Sequence, residues 1–210
     1  MEIIIEDIVL EAAKPEGADI AARLMYDADQ HLINYIFKGD QEIMQKCYEG
    51  MWKRKDGMCS HSLSTVARQK GALLGIEISY PAGTEEEHFH IGIQHAAEIL
   101  SPEAYDHFEA AMGYTPYLLP FTPEDAYYVL FLSVIPEARG QGIGAKLLDN
   151  VFERAKAQGF RSCHLDVASD YPAVRFYKRM GMEILSESRV PYLDENHNIP
   201  MHYRMVKDLI

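Results

Sequence analysis

Apolar segments alternate with amphipathic ones along the chain, and the alternation is clearest in the last third. Tyr127–Ile135 is an apolar run (YYVLFLSVI) closed by a proline, which reads as a buried strand. Beyond it Ile143, Leu147, Leu148, Val151, Phe152 and Ala155 recur at helical spacing, while Lys146, Asp149, Glu153 and Lys156 lie off that stripe. The pattern predicts a helix over Gly142–Gln158 with one face on a sheet. A strand at Ser162–Ala168, a helix at Pro172–Met180 and strands at Met182–Ser188 and Met201–Lys207 follow. Gly159 and Gly181 stand where helix C-termini place glycine. The polar run Asp194–Asn198 reads as the turn between the last two strands.

The first two thirds are less regular. Ile8–Ala13 is a candidate first strand, broken by Lys14-Pro15-Glu16-Gly17, and Ala18–Ala28 is helical with Ile20 and Leu24 on one face. His31–Trp52 predicts one or two helices interrupted at Lys38-Gly39-Asp40, with Trp52 in the core. Leu63–Arg68 and Ala72–Tyr80 form a hairpin around Gln69-Lys70-Gly71. Pro81–His90 reads as a polar loop, then Ile91–Leu100 and Pro102–Met112 as helices, the second capped by Ser101 with Pro102 at its first position. Tyr114–Asp125 holds three prolines and reads as a connector. With no repeat, low-complexity tract or linker, residues 1–210 are expected to form one mixed α/β domain: a central mixed sheet with helices on both faces.

A composition 48% hydrophobic and 25% charged is that of a globular protein rather than a disordered one. The net charge of −12 argues against nucleic acid as a partner and suits cationic substrates such as amines. Cys47, Cys59 and Cys163 form no C-x-x-C pair, so neither a disulfide framework nor a zinc knuckle is expected. No basic leader opens the chain, and no run reaches the roughly 18 apolar residues that span a bilayer. The expectation is a cytoplasmic protein without membrane association. His88, His90 and His95 beside Glu85-Glu86-Glu87 show no metal-ligand spacing and read as part of a mobile acidic loop; no metal is expected.

Between the best strand and the best helix lies Arg139-Gly140-Gln141-Gly142-Ile143-Gly144. A helix N-terminus carries backbone N–H groups without intrahelical partners and a partial positive charge, so glycines there build an anion site. Three readings compete. Gly140-Gln141-Gly142-Ile143-Gly144-Ala145 fits the dinucleotide fingerprint, and Asp166 follows about 20 residues on, where a ribose-binding acid belongs. Against this, Pro136-Glu137-Ala138-Arg139 separates the glycines from the strand, and too little chain follows Ala168 for a doubly wound sheet. A Walker A loop fails because no G-K-S/T follows. In the blandest reading the glycines only permit close packing, which leaves the preceding arginine unexplained.

In the remaining reading, Val134-Ile135-Pro136-Glu137-Ala138-Arg139-Gly140-Gln141-Gly142-Ile143-Gly144 resembles the acyl-CoA-binding signature of the GNAT family of N-acetyltransferases. Arg139, Gly142 and Gly144 hold the fixed positions of R/Q-x-x-G-x-G/A. Asp170-Tyr171-Pro172-Ala173-Val174-Arg175-Phe176-Tyr177-Lys178-Arg179-Met180-Gly181-Met182 is similar to a second family motif, N-x-x-A-x-x-F/L-Y-x-x-x-G-F/M. The match covers about Tyr127 to Met182. The resemblance implies a GNAT-like fold and direct transfer of acetyl from acetyl-CoA to the amine of a small molecule or peptide, without a metal; a homodimer is compatible with it. It implies that the amides of Arg139, Gly140, Gln141, Gly142, Ile143, Gly144 and Ala145 hold the pyrophosphate. It places Leu132 and Val134 as backbone partners of the pantetheine, with Cys163–Ala168 as the opposite wall. Tyr177 is implied as the general acid toward the departing thiolate, acting near a phenol's ordinary pKa of about 10.

Asp170 departs from the family's asparagine and cannot donate when ionised, leaving pantetheine contact or helix capping open. Glu77, Glu124 and Asp125 are base candidates by topology, each against a reading as a solvated surface carboxylate. Tyr114, Tyr117, Phe121, Tyr127 and Tyr128 read equally as acceptor pocket and as connector packing. A non-catalytic acyl-CoA-binding module and a dinucleotide enzyme stay open as alternatives.

Overall fold

The computed structural model describes residues 5–210 and is built on one seven-stranded sheet. Its strands are β1 (Val9–Ala12), β2 (Ser64–Gln69), β3 (Ala72–Pro81), β4 (Ala126–Val134), β5 (Ser162–Ala168), β6 (Glu183–Ser188) and β7 (His202–Asp208), in the order β1-β2-β3-β4-β5-β7-β6. All neighbours are antiparallel except β4 and β5, which are parallel. The helices are α1 (Ala18–Ala28), α2 (Gln30–Ile36), α3 (Gln41–Trp52), α4 (Glu85–Ile99), α5 (Pro102–Met112), α6 (Thr115–Leu118), α7 (Ile143–Ala157), α8 (Ala173–Arg179) and α9 (Pro191–His197). The expected mixed α/β architecture is what the chain adopts.

Side-chain alternation on β3 sorts the layers. Ile76 and Ile78 face the core under α1–α5, whereas Glu77 and Ser79 face Arg154 of α7 on the other side. The predicted stripe of α7 is buried at all six positions, which fixes that helix on β3 and β4. Trp52 is buried, its indole N–H donating to the Lys14 carbonyl at 3.0 Å. Ser101 caps α5 through the Ala104 amide, as its spacing predicts.

Three segments differ from expectation. Pro81–His90 is not a loop, because α4 begins at Glu85. Three glutamates in its first turn complement the positive end of the helix dipole, and their polarity hid the helix start. His88, His90 and His95 therefore sit on a helix rather than in a mobile acidic loop. Asp194–Asn198 lies largely within α9, which Pro191 opens and the buried Leu193 anchors; the left-handed Asn198 (φ 54°) ends it. The connector Tyr114–Asp125 contains the short helix α6.

One irregularity positions the site. Ile78 faces Phe131 and Ser79 faces Val129, so Leu130 is an extra residue on β4. Past that bulge β4 leaves β5: the parallel ladder covers only Ala126–Val129 against Ser162–Leu165. Leu130–Val134 and Asp166–Ala168 then diverge and open a cleft through the sheet. Among the described residues, no helix is long and apolar enough to cross a membrane.

Candidate active site

Inside the cleft the backbone of β4 is partly free. The Ile135 amide donates to the Leu74 carbonyl, so by alternation Ser133 and Phe131 also turn their polar groups to β3. Leu132 and Val134 present theirs to the open side, while their side chains pack in the core beneath α7. The Val134 carbonyl is taken by Arg139 Nε at 2.8 Å; its amide and both polar groups of Leu132 lie past the end of the ladder with β5.

At the mouth of the cleft, β4 runs through a 3₁₀ turn (Pro136–Ala138) into the glycines. This turn uses the Arg139 amide, which donates to Pro136 at 3.3 Å, and Arg139 Nη2 pairs with Asp27 of α1 at 2.8 Å. Arg139 thus braces the turn instead of facing a ligand with its amide free, as the motif alone suggested. Gly140 and Gly142 both have positive φ, 77° and 82°. A Cβ built at Gly140 meets nothing within 4 Å, and one at Gly142 meets only Ile5 at 3.6 Å, so an anion has room to approach both. The amides of Gly140, Gln141 and Gly142 make no backbone hydrogen bond among the described residues, and the first turn of α7 adds those of Ile143, Gly144 and Ala145. A pyrophosphate fits this row of donors. Gly144 has a further role, since its Cβ position touches Phe176 of α8 at 3.5 Å.

The turn and the cleft open into one cavity of about 940 Å³. Leu132, Val134, Arg139, Gly140, Gly142–Ala145 and Tyr177 line it; Gln141 and Asp170 do not. Asp170 is exposed and lies 3.5 Å from His31 Nε2, and it does not cap α8. Tyr177 is 8% exposed, its hydroxyl without a hydrogen-bond partner among the described residues. Burial pushes its phenol well above the near-ordinary value expected from sequence, so it stays protonated at any physiological pH.

The base candidates separate clearly. Glu124 and Asp125 are exposed and off the cavity. Glu77 is 0% exposed, paired with Arg154 Nη2 at 2.8 Å on the α7 side of the sheet, and is not the solvated carboxylate expected. Sequence reasoning missed Glu85, which lines the cavity with a carboxyl that burial pushes up, against the lowering effects of Arg204 and Thr122. Its signal was masked by the loop reading of Pro81–His90. Of the aromatic segment, Phe121 and Tyr128 reach the cavity, while Tyr127 packs in the core under α7. Asp166, the acid of the dinucleotide reading, is locked in a two-toothed pair with Arg204 (2.8 and 2.7 Å) and accepts the Tyr128 hydroxyl at 2.9 Å. Both of its oxygens are engaged and its side chain is only 3% exposed, which leaves it closed to a ribose. No His/Cys/Asp/Glu group suited to a metal occurs among the described residues.

A strand splayed from its parallel neighbour, with a glycine turn and helix N-terminus at the mouth of the split, forms the candidate site of an acyltransferase. Residues 73–182, just over half the chain, match the family model described as Acetyltransferase (GNAT) family, and the chain belongs to that family. Its fold is similar to that of an N-acetyltransferase from Staphylococcus aureus Mu50 (TM-score 0.73, 18% identity, 95% of this chain and 100% of that one). It is also similar to a Drosophila melanogaster polyamine N-acetyltransferase that forms N-acetylagmatine (0.61, 17%, 96% and 100%). A mosquito arylalkylamine N-acetyltransferase-like 5b protein matches comparably (0.59, 19%, 96% and 99%). A search of the curated proteins found no match.

Proposed function

We propose that this chain is a cytoplasmic N-acetyltransferase that moves an acetyl group from acetyl-CoA to a primary amine within a ternary complex. Residues 1–210 act as one domain with the donor-binding core at about 127–182. The observation that carries the reading is the continuity of the free amides at Gly140–Ala145 with the open β4 edge at Leu132 and Val134 in one cavity. A pyrophosphate on the first and a pantetheine along the second bring a thioester to the apex of the cleft, near Val129 and Leu130. There the neutral amine nitrogen bonds to the carbonyl carbon, the carbon–sulfur bond breaks, Tyr177 gives its proton to the thiolate, and the proton that the amine nitrogen releases returns through solvent to the Tyr177 oxygen. Donors fixed before the substrate arrives need no reorganisation during the reaction.

Titration calorimetry tests the donor. Acetyl-CoA is expected to bind and NAD not to; the reverse overturns the proposal. Free-thiol release in the presence of amines then separates an enzyme from a non-catalytic acyl-CoA-binding module.

A further inference from the structure

The cavity does not end at the cleft. Beneath α2, α3 and α5 it continues as an arm walled by Ile36, Tyr48, Cys59, Phe108, Met112 and Phe131, all part of the apolar core on that side of the sheet. The first five of these are at most 8% exposed. Phe131 follows the bulged Leu130, and its ring meets that of Tyr48 with 6.3 Å between centroids. The arm is therefore a blind pocket that starts beside the apex of the cleft and closes inside the core.

The charged groups that line the cavity are either matched or exposed. Asp27 pairs with Arg139, Asp29 with His202 and the Leu32 amide, and Asp166 with Arg204. Glu85 is held by Thr122 and by the charge of Arg204. Glu86 and His90 of α4 and Arg179 of α8 stand at exposed positions. Arg179 belongs to the end with the glycine turn, because Phe176 of the same short helix touches the Cβ position of Gly144. Within the arm the polar atoms are the Tyr48 hydroxyl and the Cys59 thiol. Burial pushes both far above their ordinary values, so both are neutral. A cation in the arm would lose its water and find no counter-charge, whereas an alkyl chain gains from the burial of each methylene.

We propose that the arm receives the acyl chain of the donor, so that the site takes acyl groups longer than acetyl and holds unbranched chains of medium length, such as hexanoyl, most tightly. This inference rests on the acetyltransferase reading above, keeps its contacts to pyrophosphate and pantetheine, and adds the class of acyl group carried on the sulfur. A closed pocket suits a chain tethered to the thioester better than a free acceptor, which would have to enter before the donor covered the opening. The exposed stretch at Glu86, His90 and Phe121 stays open for the acceptor. Phe108 and Met112 span about 6 Å of α5, the length of a few methylenes.

Titration calorimetry of the whole chain with acetyl-, butyryl-, hexanoyl-, octanoyl- and dodecanoyl-CoA tests this without any acceptor. Affinity is expected to rise by about fourfold for each fully buried methylene, which puts hexanoyl-CoA at least tenfold above acetyl-CoA. It should fall again at dodecanoyl-CoA, whose chain outruns the arm. Ile36→Phe fills the arm and should penalise hexanoyl-CoA at least tenfold relative to acetyl-CoA. Should that variant fail to fold, Phe108→Leu takes its place: by enlarging the arm it should raise the ratio of octanoyl-CoA to hexanoyl-CoA affinity about fourfold. Equal affinity for acetyl- and hexanoyl-CoA overturns the inference and leaves the arm to the acceptor. A rise that continues through dodecanoyl-CoA overturns it too, since the chain would then lie on the surface, as does a wild-type ratio in the folded variant. Failure of every thioester, acetyl-CoA included, to bind the wild type overturns the acetyltransferase reading instead.

Discussion

Gly140 and Gly142 hold left-handed backbone beside open space, and both facts are needed for a backbone anion site. A side chain at either position meets strain of about 1–3 kcal/mol and also fills the space the ligand needs. Gly142→Trp should therefore abolish acetyl-CoA binding by calorimetry while a cooperative melt shows the fold intact; undiminished affinity would place the pyrophosphate elsewhere. Tyr177 carries the second residue-scale prediction. Tyr177→Phe keeps the packed ring and removes only the hydroxyl, so turnover should fall about 100-fold or more with donor affinity nearly constant. Equal turnover by the two proteins would leave Tyr177 a packing residue beneath the ligand. Both candidates stood out in the sequence because each sits in a local motif. The role of Arg139 was only half legible. Its place in the motif is local, but the pairing of its guanidinium with Asp27, 112 positions away, is not.

At the scale of elements, α7 is held to the sheet by more than its apolar stripe. Arg154 reaches across to β2 and β3, donating to Thr65, Glu77 and Ser79. The Glu77 carboxylate is fully buried, so losing its cation leaves an uncompensated charge in the interior. Arg154→Met should destabilise the protein by about 3 kcal/mol, the low end of the range for broken buried pairs because Arg154 itself is a third exposed. Adding Glu77→Met should recover most of that loss in denaturant unfolding; no recovery would mean the arginine stem, not the charge, matters. Periodicity located α7 and the strands around it because each buries a face at its own repeat. It misassigned Glu77, since β3 lies mid-sheet and is covered on both faces, a fact set by the neighbours of the strand. It missed the start of α4 and all of α9 for a related reason: those helices expose polar faces, and their few buried residues find partners only after folding.

The whole molecule is joined around its cavity by one buried histidine. His202 of β7 is 1% exposed and places Nε2 2.9 Å from Asp29, between α1 and α2, and Nδ1 3.0 Å from the Pro200 carbonyl. Both partners are acceptors, so the ring satisfies both only as the imidazolium. Burial opposes that charge, but the hydrogen bond and charge of Asp29, the Pro200 carbonyl and the charge of Asp166 outweigh it and raise the pKa. A raised folded-state value means the stabilisation is complete below the unfolded value of about 6.5 and is lost as pH rises through the folded one. The melting temperature should thus decline above neutrality, and His202→Gln should lower stability by about 1–3 kcal/mol at pH 6 while flattening that decline. A variant that keeps the wild-type slope would assign the pH dependence to other groups.

Sequence alone pointed to the family and to the proposed donor site. The glycine turn, the strand before it and the Tyr177 helix lie within about 56 contiguous residues, Tyr127–Met182, and their spacing is enough to identify the family. Tertiary structure decided the rest. The bulge at Leu130 that splits β4 from β5, the locking of Asp166 by Arg204, and the apolar arm closed by α2, α3 and α5 all join residues far apart in the chain. A cavity of this kind is a shape enclosed by distant elements, and no local pattern of residues encodes such a shape. The proposed donor site is made of backbone amides in one short segment, and a short segment is what a sequence displays directly.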